Sequence, residues 1–425
     1  MRVDTVFVQG FTLNIPPKND RQQIANFRPR GKIGIRVDKI IFSDAQIVIN
    51  TENPNKRPLE FDINDLRLTS TGPGRPLRFN TKPINPRPVG NIHSTGFFGP
   101  LNEDNPRDTA VSGDYKFTDA NLGTIRGLSG MLSSVGHYSG KLDRIEVEGK
   151  TDTPDFRLAV SEHPLPLHTE FRAVVNGTDG DTYLESVRAK LQHSPIVAKG
   201  KIVRTKDVHG HDIELEVTLN QARIQDLLTV AARTQPPVMS GEIEMNCRLS
   251  LPPGEADIAD RLHLVGKFHV PNGSFDNEKL QRRIDDLSFR SQGKLNLIGT
   301  TPDEPIPSDL QGSFTLNNGI LSFSSLRFQV PGTDADVSGQ YSLDGKVFDF
   351  HGTLRTKAKL SQMTKGWKSI LLKLVDPFFH KDGAGAELPF KITGTRSEPH
   401  FGLDFQHQES TRVRPELATK GQPTR

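Results

Sequence analysis

The sequence predicts an all-β, mainly antiparallel fold: an elongated, curled sheet built from repeating hairpins, with a few short helices. Apolar and polar residues alternate in short runs along most of the 425 residues. Turn-forming residues separate these runs, and the chain contains 37 glycines and 30 prolines. Only 34% of the residues are hydrophobic. This fraction is low for one compact core of this length, and it suits strands with one solvated face.

Residues 1–71 form the first predicted segment, an N-terminal β region. Strand alternation begins almost at the first residue, with Val6 and Val8. No basic-then-apolar signal peptide opens the chain, and no run reaches the ~20 apolar residues of a membrane-spanning helix. Because the chain begins inside a strand pattern, we interpret it as truncated upstream.

Three further segments follow from composition. Residues 72–109 are rich in Pro, Gly and Asn and predict an irregular connection. Residues 110–405 predict a region of repeating β-hairpins, and the polar residues 406–425 predict a disordered tail. Residues 122–135 are glycine-rich with apolar residues three to four apart. Strand and helix both remain open for that stretch.

Apart from the undecided stretch 122–135, helical spacing of apolar residues occurs at 222–232, 277–287 and 361–375. The last of these predicts an amphipathic helix whose lysines lie outside one apolar stripe. The residues of that stripe that we take as candidates for membrane or partner contact are Trp367, Ile370, Leu371 and Leu374. Such a helix either packs on the end of the sheet or contacts a membrane surface or a partner. The sequence leaves both open.

A recurring pattern predicts the hairpins. It consists of a glycine, two alternating apolar residues, Asn or Asp followed by Gly or Ala, and another apolar residue. Full copies begin at Gly113, Gly266 and Gly312, and a shifted copy begins at Gly339. Asn-Gly and similar pairs accept the positive φ of a tight turn between antiparallel strands. The unequal spacing of the copies argues against a solenoid of fixed period.

Each predicted hairpin strand carries two large apolar side chains on one face. These candidate groove residues are Tyr115, Phe117, Phe268, Val270, Phe314, Leu316, Tyr341 and Leu343. A dry core inside a sandwich is the commoner arrangement for such a face. The alternative is an open trough whose apolar wall holds lipid acyl chains. The pattern alone does not separate the two.

No constellation of reactive residues predicts catalysis, so we expect a non-enzymatic protein without cofactor or metal. The single cysteine, Cys247, excludes an internal disulfide or a cysteine-based zinc site. The pairs His163 and His168, and His209 and His211, lie in extended or turn sequence rather than on a helix face. With a net charge of +3 and basic residues scattered among acidic ones, the chain is not expected to bind nucleic acid.

Several stretches carry a family resemblance. Residues 328–341 read Phe-Gln-Val-Pro-Gly-Thr-Asp-Ala-Asp-Val-Ser-Gly-Gln-Tyr. Shorter motifs follow within 359–368, 376–378 and 388–395, and residues 113–156 are also similar. Together these stretches, within roughly residues 31–405, resemble the AsmA-like family of bacterial envelope proteins.

The resemblance implies a β-rich periplasmic body on a protein held in the inner membrane by one N-terminal helix, which this chain lacks. Larger, TamB-type members are viewed as grooves that carry phospholipid between membranes. We therefore expect a groove for phospholipid or another acyl-chain lipid and a contribution to outer-membrane biogenesis or inter-membrane lipid transport. The alternative is a scaffold or adaptor for outer-membrane protein targeting and assembly, with envelope proteins as partners, a closed β core and no lipid cargo.

Overall fold

The computed structural model describes residues 2–15, 36–50, 59–69, 75–102, 105–161, 163–205, 210–231, 236–300, 302, 304–357, 386–395 and 398–404. Across these residues the protein is all-β, with strands paired mostly antiparallel and few short helices. The predicted fold class is confirmed. The chain divides into unit 1, which comprises Met1–Pro237, Glu242–Gly266 and Leu316–Gly319, and unit 2, which comprises Val238–Gly241, Lys267–Thr315 and Ile320–Arg425.

The first fifteen strands lie in unit 1. They are β1 (Arg2–Gln9), β2 (Thr12–Ile15), β3 (Arg36–Ile49), β4 (Leu59–Thr69), β5 (Leu77–Thr81), β6 (Ile84–Pro86), β7 (Val89–Phe98), β8 (Ala110–Asn121), β9 (Leu128–Ser129), β10 (Met131–Lys141), β11 (Arg144–Leu158), β12 (Leu165–Val175), β13 (Thr182–Leu191), β14 (Ser194–Arg204) and β15 (His211–Arg223).

The later strands are β16 (Met239–Ser240), β17 (Glu242–Leu251), β18 (His263–Phe275), β19 (Ser308–Asn317), β20 (Ile320–Val330), β21 (Thr333–Ser342), β22 (Phe348–Thr356), β23 (Ala386–Gly394) and β24 (Pro399–Leu403). The α-helices are α1 (Ile224–Ala231), α2 (Ile258–Arg261) and α3 (Glu278–Ser291).

In unit 1, neighbouring strands form one long antiparallel ladder. The strands β7, β8, β10, β11, β12, β13, β14, β15 and β17 pair in that order. The strands β1 and β2 instead pair in parallel with β3. Side chains alternate along each strand, so the ladder places mostly apolar side chains on one side and mostly polar side chains on the other.

In unit 2, β20 to β24 pair in sequence order, each antiparallel to the next. The helix α3 begins where the side chain of Asn277 accepts a hydrogen bond from the backbone N–H of Leu280. The helix is held to the β20–β21 turn by Ser288, whose Oγ donates to the carbonyl oxygen of Pro331 at 2.7 Å. Phe289 is buried on the same helix.

Two local predictions need correction or completion. The segment 72–109, predicted to be irregular, contains the three strands β5, β6 and β7. Its prolines are tolerated because β6 pairs only with β7, so its other edge makes no ladder hydrogen bonds within the described part of the chain. The undecided stretch 122–135 contains a short 3₁₀ turn, β9 and the start of β10.

The two helices predicted within the described residues are present as α1 and α3. The predicted helix 361–375 and the predicted tail 406–425 lie outside the residues that the structure describes. Their predictions therefore stay predictions.

The repeat pattern predicted four hairpin turns, and the structure has two of them. Asn318 and Gly319 have φ values of 49° and 72° and connect β19 to β20, and Gly345 has φ 75° between β21 and β22. The other two predicted turns are wrong. Asp119 forms a bulge within β8 with φ 56°, while Asn272 lies inside the continuous strand β18. At both positions the strand continues past the expected turn, so the chain does not reverse there.

Candidate functional site

One side of the nine-strand ladder in unit 1 is lined by small and apolar residues; we call it the apolar face. Its central row crosses the ladder strand by strand. That row consists of Tyr115, Gly136, Gly149, Phe171, Val187, Ala198, Val217 and Cys247. The pairing register therefore aligns residues that are far apart in sequence into a continuous apolar strip.

The apolar face is only partly covered. Tyr115, Phe117, Phe171, Val187 and Val217 are all half-buried rather than buried. The inner faces of a two-layer sandwich interdigitate at interior packing density, which would bury these side chains fully. Across the whole described chain, Leu219 and Val270 are the only large apolar side chains among the fully buried ones. The middle of the apolar face is therefore accessible to an apolar ligand.

One end of the apolar face is closed. Ala120 and Ala222 are 0% exposed, and Ile243 is 4% exposed. The helix α1 continues from β15 at this end, and its Ile224 and Val230 are buried. The face thus passes from a dry, packed end to a half-exposed middle.

The opposite side of the same strands is charged, and we call it the polar face. Its cross-strand ion pairs are Lys150–Glu170 (2.6 Å), Arg172–Glu148 (2.9 Å), Lys201–Glu214 (3.0 Å) and Lys199–Glu216 (3.1 Å). Exposed pairs of this kind contribute little stability, ~0–1 kcal/mol each. They do fix which side of the sheet faces water, because reversing the sheet would bury all of these charges.

The ladder bends, and the chain before its first strand contacts the chain after its last strand. Arg87 precedes β7 and Glu255 follows β17, yet their side chains form a two-bond ion pair with distances of 3.0 and 3.1 Å. The Glu255 carboxylate raises the pKa of Arg87, chiefly through this hydrogen bond. The backbone N–H of Ile258 also donates to the carbonyl oxygen of Arg126 at 3.3 Å. Because the apolar face is the less exposed side, we infer that it is the inner side of the bend.

Aromatic rings on the apolar face lie over glycines of adjacent strands. A methyl group at Gly149 would lie 2.5 Å from the Tyr115 Oη and 2.8 Å from the Phe171 Cζ. At Gly136 it would lie 2.5 Å from the Tyr115 ring. The rings therefore rest directly on bare backbone. The repeat pattern included Tyr115, but it did not indicate that the Tyr115 ring packs on Gly136 and Gly149.

The tyrosine hydroxyls on this face have polar partners. Tyr115 Oη lies 3.1 Å from Ser134 Oγ, and Tyr138 Oη lies 2.8 Å from Ser94 Oγ. Burial raises the pKa of both tyrosines. Both hydroxyls therefore stay protonated and neutral near pH 7, and the face carries no ionised group at these positions.

The predicted groove residues differ in how far they are buried. Val270 and Phe314 are buried in unit 2, and Leu316, in unit 1, is buried as well. Tyr341 and Leu343, in unit 2, are half-buried, as Tyr115 and Phe117 are in unit 1. The structure thus places part of the set in packed interior and part on accessible surface. That these residues line a lipid groove stays a prediction.

An aromatic cluster in unit 2 combines the buried rings of Phe314 and Phe350 with half-buried rings. Phe268 lies 6.2 Å from both Phe314 and Phe323, measured between ring centroids. Phe350 continues the cluster, at 6.0 Å from Phe323 and 4.9 Å from Phe348. Tilted rings at these separations pack favourably, at ~0.5–1.5 kcal/mol per pair beyond burial. This part of the candidate set stabilises the fold.

The remaining predictions concern the residues of the C-terminal helix, membrane-spanning helices and metal sites. Trp367, Ile370, Leu371 and Leu374 lie outside the described residues. Within the described part of the chain, no helix is long and apolar enough to cross a membrane. Among the same residues, no group of three or more His, Cys, Asp or Glu side chains is placed to hold a metal ion.

Comparison with known proteins found no similar protein. No protein family matches the chain, and no curated protein or solved structure is similar to it. The fold and the candidate site define the class as a protein built on an amphipathic antiparallel sheet with one partly open apolar face. The AsmA-like resemblance rests on its sequence motifs and stays a prediction.

Proposed function

We propose that unit 1 binds the acyl chain of a lipid on its apolar face. The observation that carries the proposal is the combination of a half-buried apolar row with a polar, ion-paired opposite side. The half-buried side chains of this row, Phe171, Val187 and Val217 among them, are partly in contact with water, and a ligand that displaced this water would gain hydrophobic free energy.

The expected energetics are sufficient for binding. Each methylene taken from water contributes ~0.8 kcal/mol, so about ten of them contribute ~8 kcal/mol. Part of this gain is offset by the loss of translational and conformational freedom on association. An acyl chain can also slide along such a strip without breaking specific hydrogen bonds.

The proposed role is non-enzymatic, since uptake and release of an acyl chain require no covalent step. In line with the AsmA-like resemblance, we place this role in the bacterial envelope. The chain would form part of a periplasmic body that contributes to outer-membrane biogenesis or to phospholipid transport between the membranes.

A second candidate is a scaffold or adaptor that acts in outer-membrane protein targeting and assembly. The observation that favours it is the packed interior of unit 2, where Val270 and Phe314 are buried among other apolar residues. A unit with such an interior presents its outer surface, and not its apolar side, to other envelope proteins.

Two neighbouring substitutions in β15 test the acyl-chain proposal. Val217 is half-buried on the apolar face, whereas Thr218 is on the polar face, where its Oγ1 donates to Asn246 Oδ1 at 3.0 Å. Val217→Glu and Thr218→Glu therefore add the same charge to opposite sides of one strand. Each variant is purified without detergent, checked for folding by circular dichroism, and assayed for co-purified lipid and for binding of a fluorescent fatty acid.

If the apolar face holds acyl chains, V217E stays folded and loses the lipid and the probe, while T218E keeps both. If the face is a dry core, V217E unfolds, because a carboxylate cannot be buried there without a partner. Unfolding of V217E, or wild-type protein that neither carries lipid nor binds the probe, would overturn the proposal.

A further inference from the structure

A depression with a volume of about 320 Å³ lies beside β7 and β8 in unit 1. Basic and hydrogen-bonding side chains line it, including Lys82, Asn91, His93, Lys116 and Thr118. Its volume equals that of about ten water molecules at ~30 Å³ each. This depression differs in chemistry from the apolar face, and the acyl-chain proposal does not use it.

The pairing of β7 with β8 sets the positions of its side chains. His93 lies directly opposite Lys116, and Asn91 lies opposite Thr118. Lys82 follows β5, and its backbone N–H donates to the carbonyl oxygen of Asp65 at 3.1 Å. The next residue, Pro83, accepts a hydrogen bond from the backbone N–H of Ile92 at 3.0 Å. Backbone hydrogen bonds therefore hold the two lysines next to the imidazole.

The lysines of the depression break the charge pattern of the polar face. Lys150, Lys199 and Lys201 each pair with a glutamate on the adjacent strand. Neither Lys82 nor Lys116 has a carboxylate at ion-pair distance within the described part of the chain, and both are exposed.

Two carboxylates of β8 lie near the depression, and each has a hydrogen-bond partner other than the two lysines. Asp114 bonds to His137 Nδ1 at 3.0 Å, and Asp119 accepts from Asn91 Nδ2 at 3.3 Å. The Nε2 of His93 lies 3.1 Å from the Asn80 Oδ1. The depression thus offers two ammonium groups, the Asn91 amide and the Thr118 hydroxyl to a ligand.

We propose that this depression binds a phosphate group. Ammonium groups form short, charge-assisted hydrogen bonds to phosphate oxygens, and hydroxyl and amide groups complete the set of donors. The phosphate is carried either by an anionic lipid headgroup or by free phosphate. Because the side chains belong to the polar face, the proposal does not depend on acyl-chain binding by the apolar face.

The first experiment titrates inorganic phosphate into the protein and follows the imidazole signals of His93 by NMR. The wild-type protein is expected to show a saturable shift of these signals. The double variant Lys82→Gln and Lys116→Gln is expected to bind at least about tenfold more weakly, because both charge-assisted contacts are lost. The matched control, Lys199→Gln and Lys201→Gln, removes two paired lysines from the same face and is expected to bind phosphate as the wild type does.

The second experiment identifies the source of the phosphate. Vesicles of phosphatidylcholine with and without phosphatidic acid are sedimented with the same variants. Binding to the acidic vesicles that is lost in K82Q/K116Q assigns the site to a lipid headgroup, while phosphate binding without vesicle binding assigns it to free phosphate. The proposal is overturned if His93 does not respond to phosphate, or if K199Q/K201Q weakens binding as much as K82Q/K116Q.

The variant V217E separates the two proposals. It changes only the apolar face, so it is expected to keep full phosphate binding even if it loses the fatty-acid probe. Loss of the probe with phosphate binding retained supports two independent sites.

Discussion

The guanidinium of Arg87 donates two parallel hydrogen bonds to the carboxylate of Glu255, a residue that lies 168 positions later in the chain. Seven strands of the ladder separate the strand that follows Arg87 from the strand that precedes Glu255. The pair therefore links the chain before the first strand of the ladder to the chain after its last strand, and so marks a bend of the sheet.

We expect Glu255→Gln to lower the free energy of unfolding by only about 0.5 to 1 kcal/mol, since both side chains are exposed and water screens the pair. The loss is expected to disappear near ~1 M salt, where the Debye length is about 3 Å. Urea unfolding at low and high salt measures it. Glu278→Gln, which removes a one-bond pair with Arg282 on α3, serves as the control and is expected to cost less. A cost that does not change with salt would contradict this account.

Gly149→Ala is expected to destabilise the protein by about 1 to 3 kcal/mol, because the added methyl group would overlap the rings of Tyr115 and Phe171. Thermal and urea unfolding measure the change. The control is Gly402→Ala, where a methyl group would meet only the flexible side chain of Lys391 at 3.7 Å. That variant is expected to stay within ~0.5 kcal/mol of the wild type. Equal effects at both glycines would contradict the proposed ring packing.

The two carboxylate contacts of His351 are expected to stabilise the fold in a pH-dependent way. Its Nδ1 lies 2.5 Å from Asp404 Oδ2 and its Nε2 lies 3.0 Å from Asp349 Oδ1. These hydrogen bonds, that to Asp404 first, raise the pKa of His351 above its ordinary value of 6.5, although Lys391 lies directly opposite on β23. The stabilisation is therefore complete below about pH 6.5, where the unfolded chain is protonated too, and it is lost as the pH rises through the folded-state pKa.

The measurement is thermal unfolding of the wild type and of His351→Gln from acid to alkaline pH. The stability difference between the two proteins is expected to be largest on the acid side and to shrink as the pH increases. Asp349→Asn, which removes the weaker partner, is expected to reduce the difference only partly. A difference that grows with pH would refute the assignment.

Cys247 offers a reporter on the apolar face. Burial raises the pKa of its thiol, so little thiolate is present near pH 8. We expect a thiol reagent to label it at least about tenfold more slowly than an exposed cysteine. The exposed reference is Asn246→Cys in a Cys247→Ser background, one residue away on the polar face.

A fatty acid is expected to slow the labelling of Cys247 further while leaving that of N246C unchanged. Equal rates for Cys247 with and without fatty acid would show that the ligand does not reach this part of the apolar face.

Local pattern was enough to predict the strands with strict alternation. In β15, for example, Ile213, Leu215 and Val217 alternate with glutamates, which assigns the three apolar residues to one side of the strand. Prolines misled the prediction of 72–109, because a proline is compatible with an edge strand such as β6 as well as with a loop. The copies at Gly113 and Gly266 misled the hairpin prediction, because the pattern fits a bulge or a continuous strand as well as a turn.

The sequence by itself determined the all-β class, the two-sided character of the strands and two of the four expected hairpin turns. These properties depend on the period-two geometry of a strand and on residues close together in the chain. The tertiary structure alone decided which apolar residues are buried, such as Phe314, and which stay accessible, such as Tyr115. It also decided that Arg87 meets Glu255, because strand register and sheet curvature are set by cooperative pairing between distant segments.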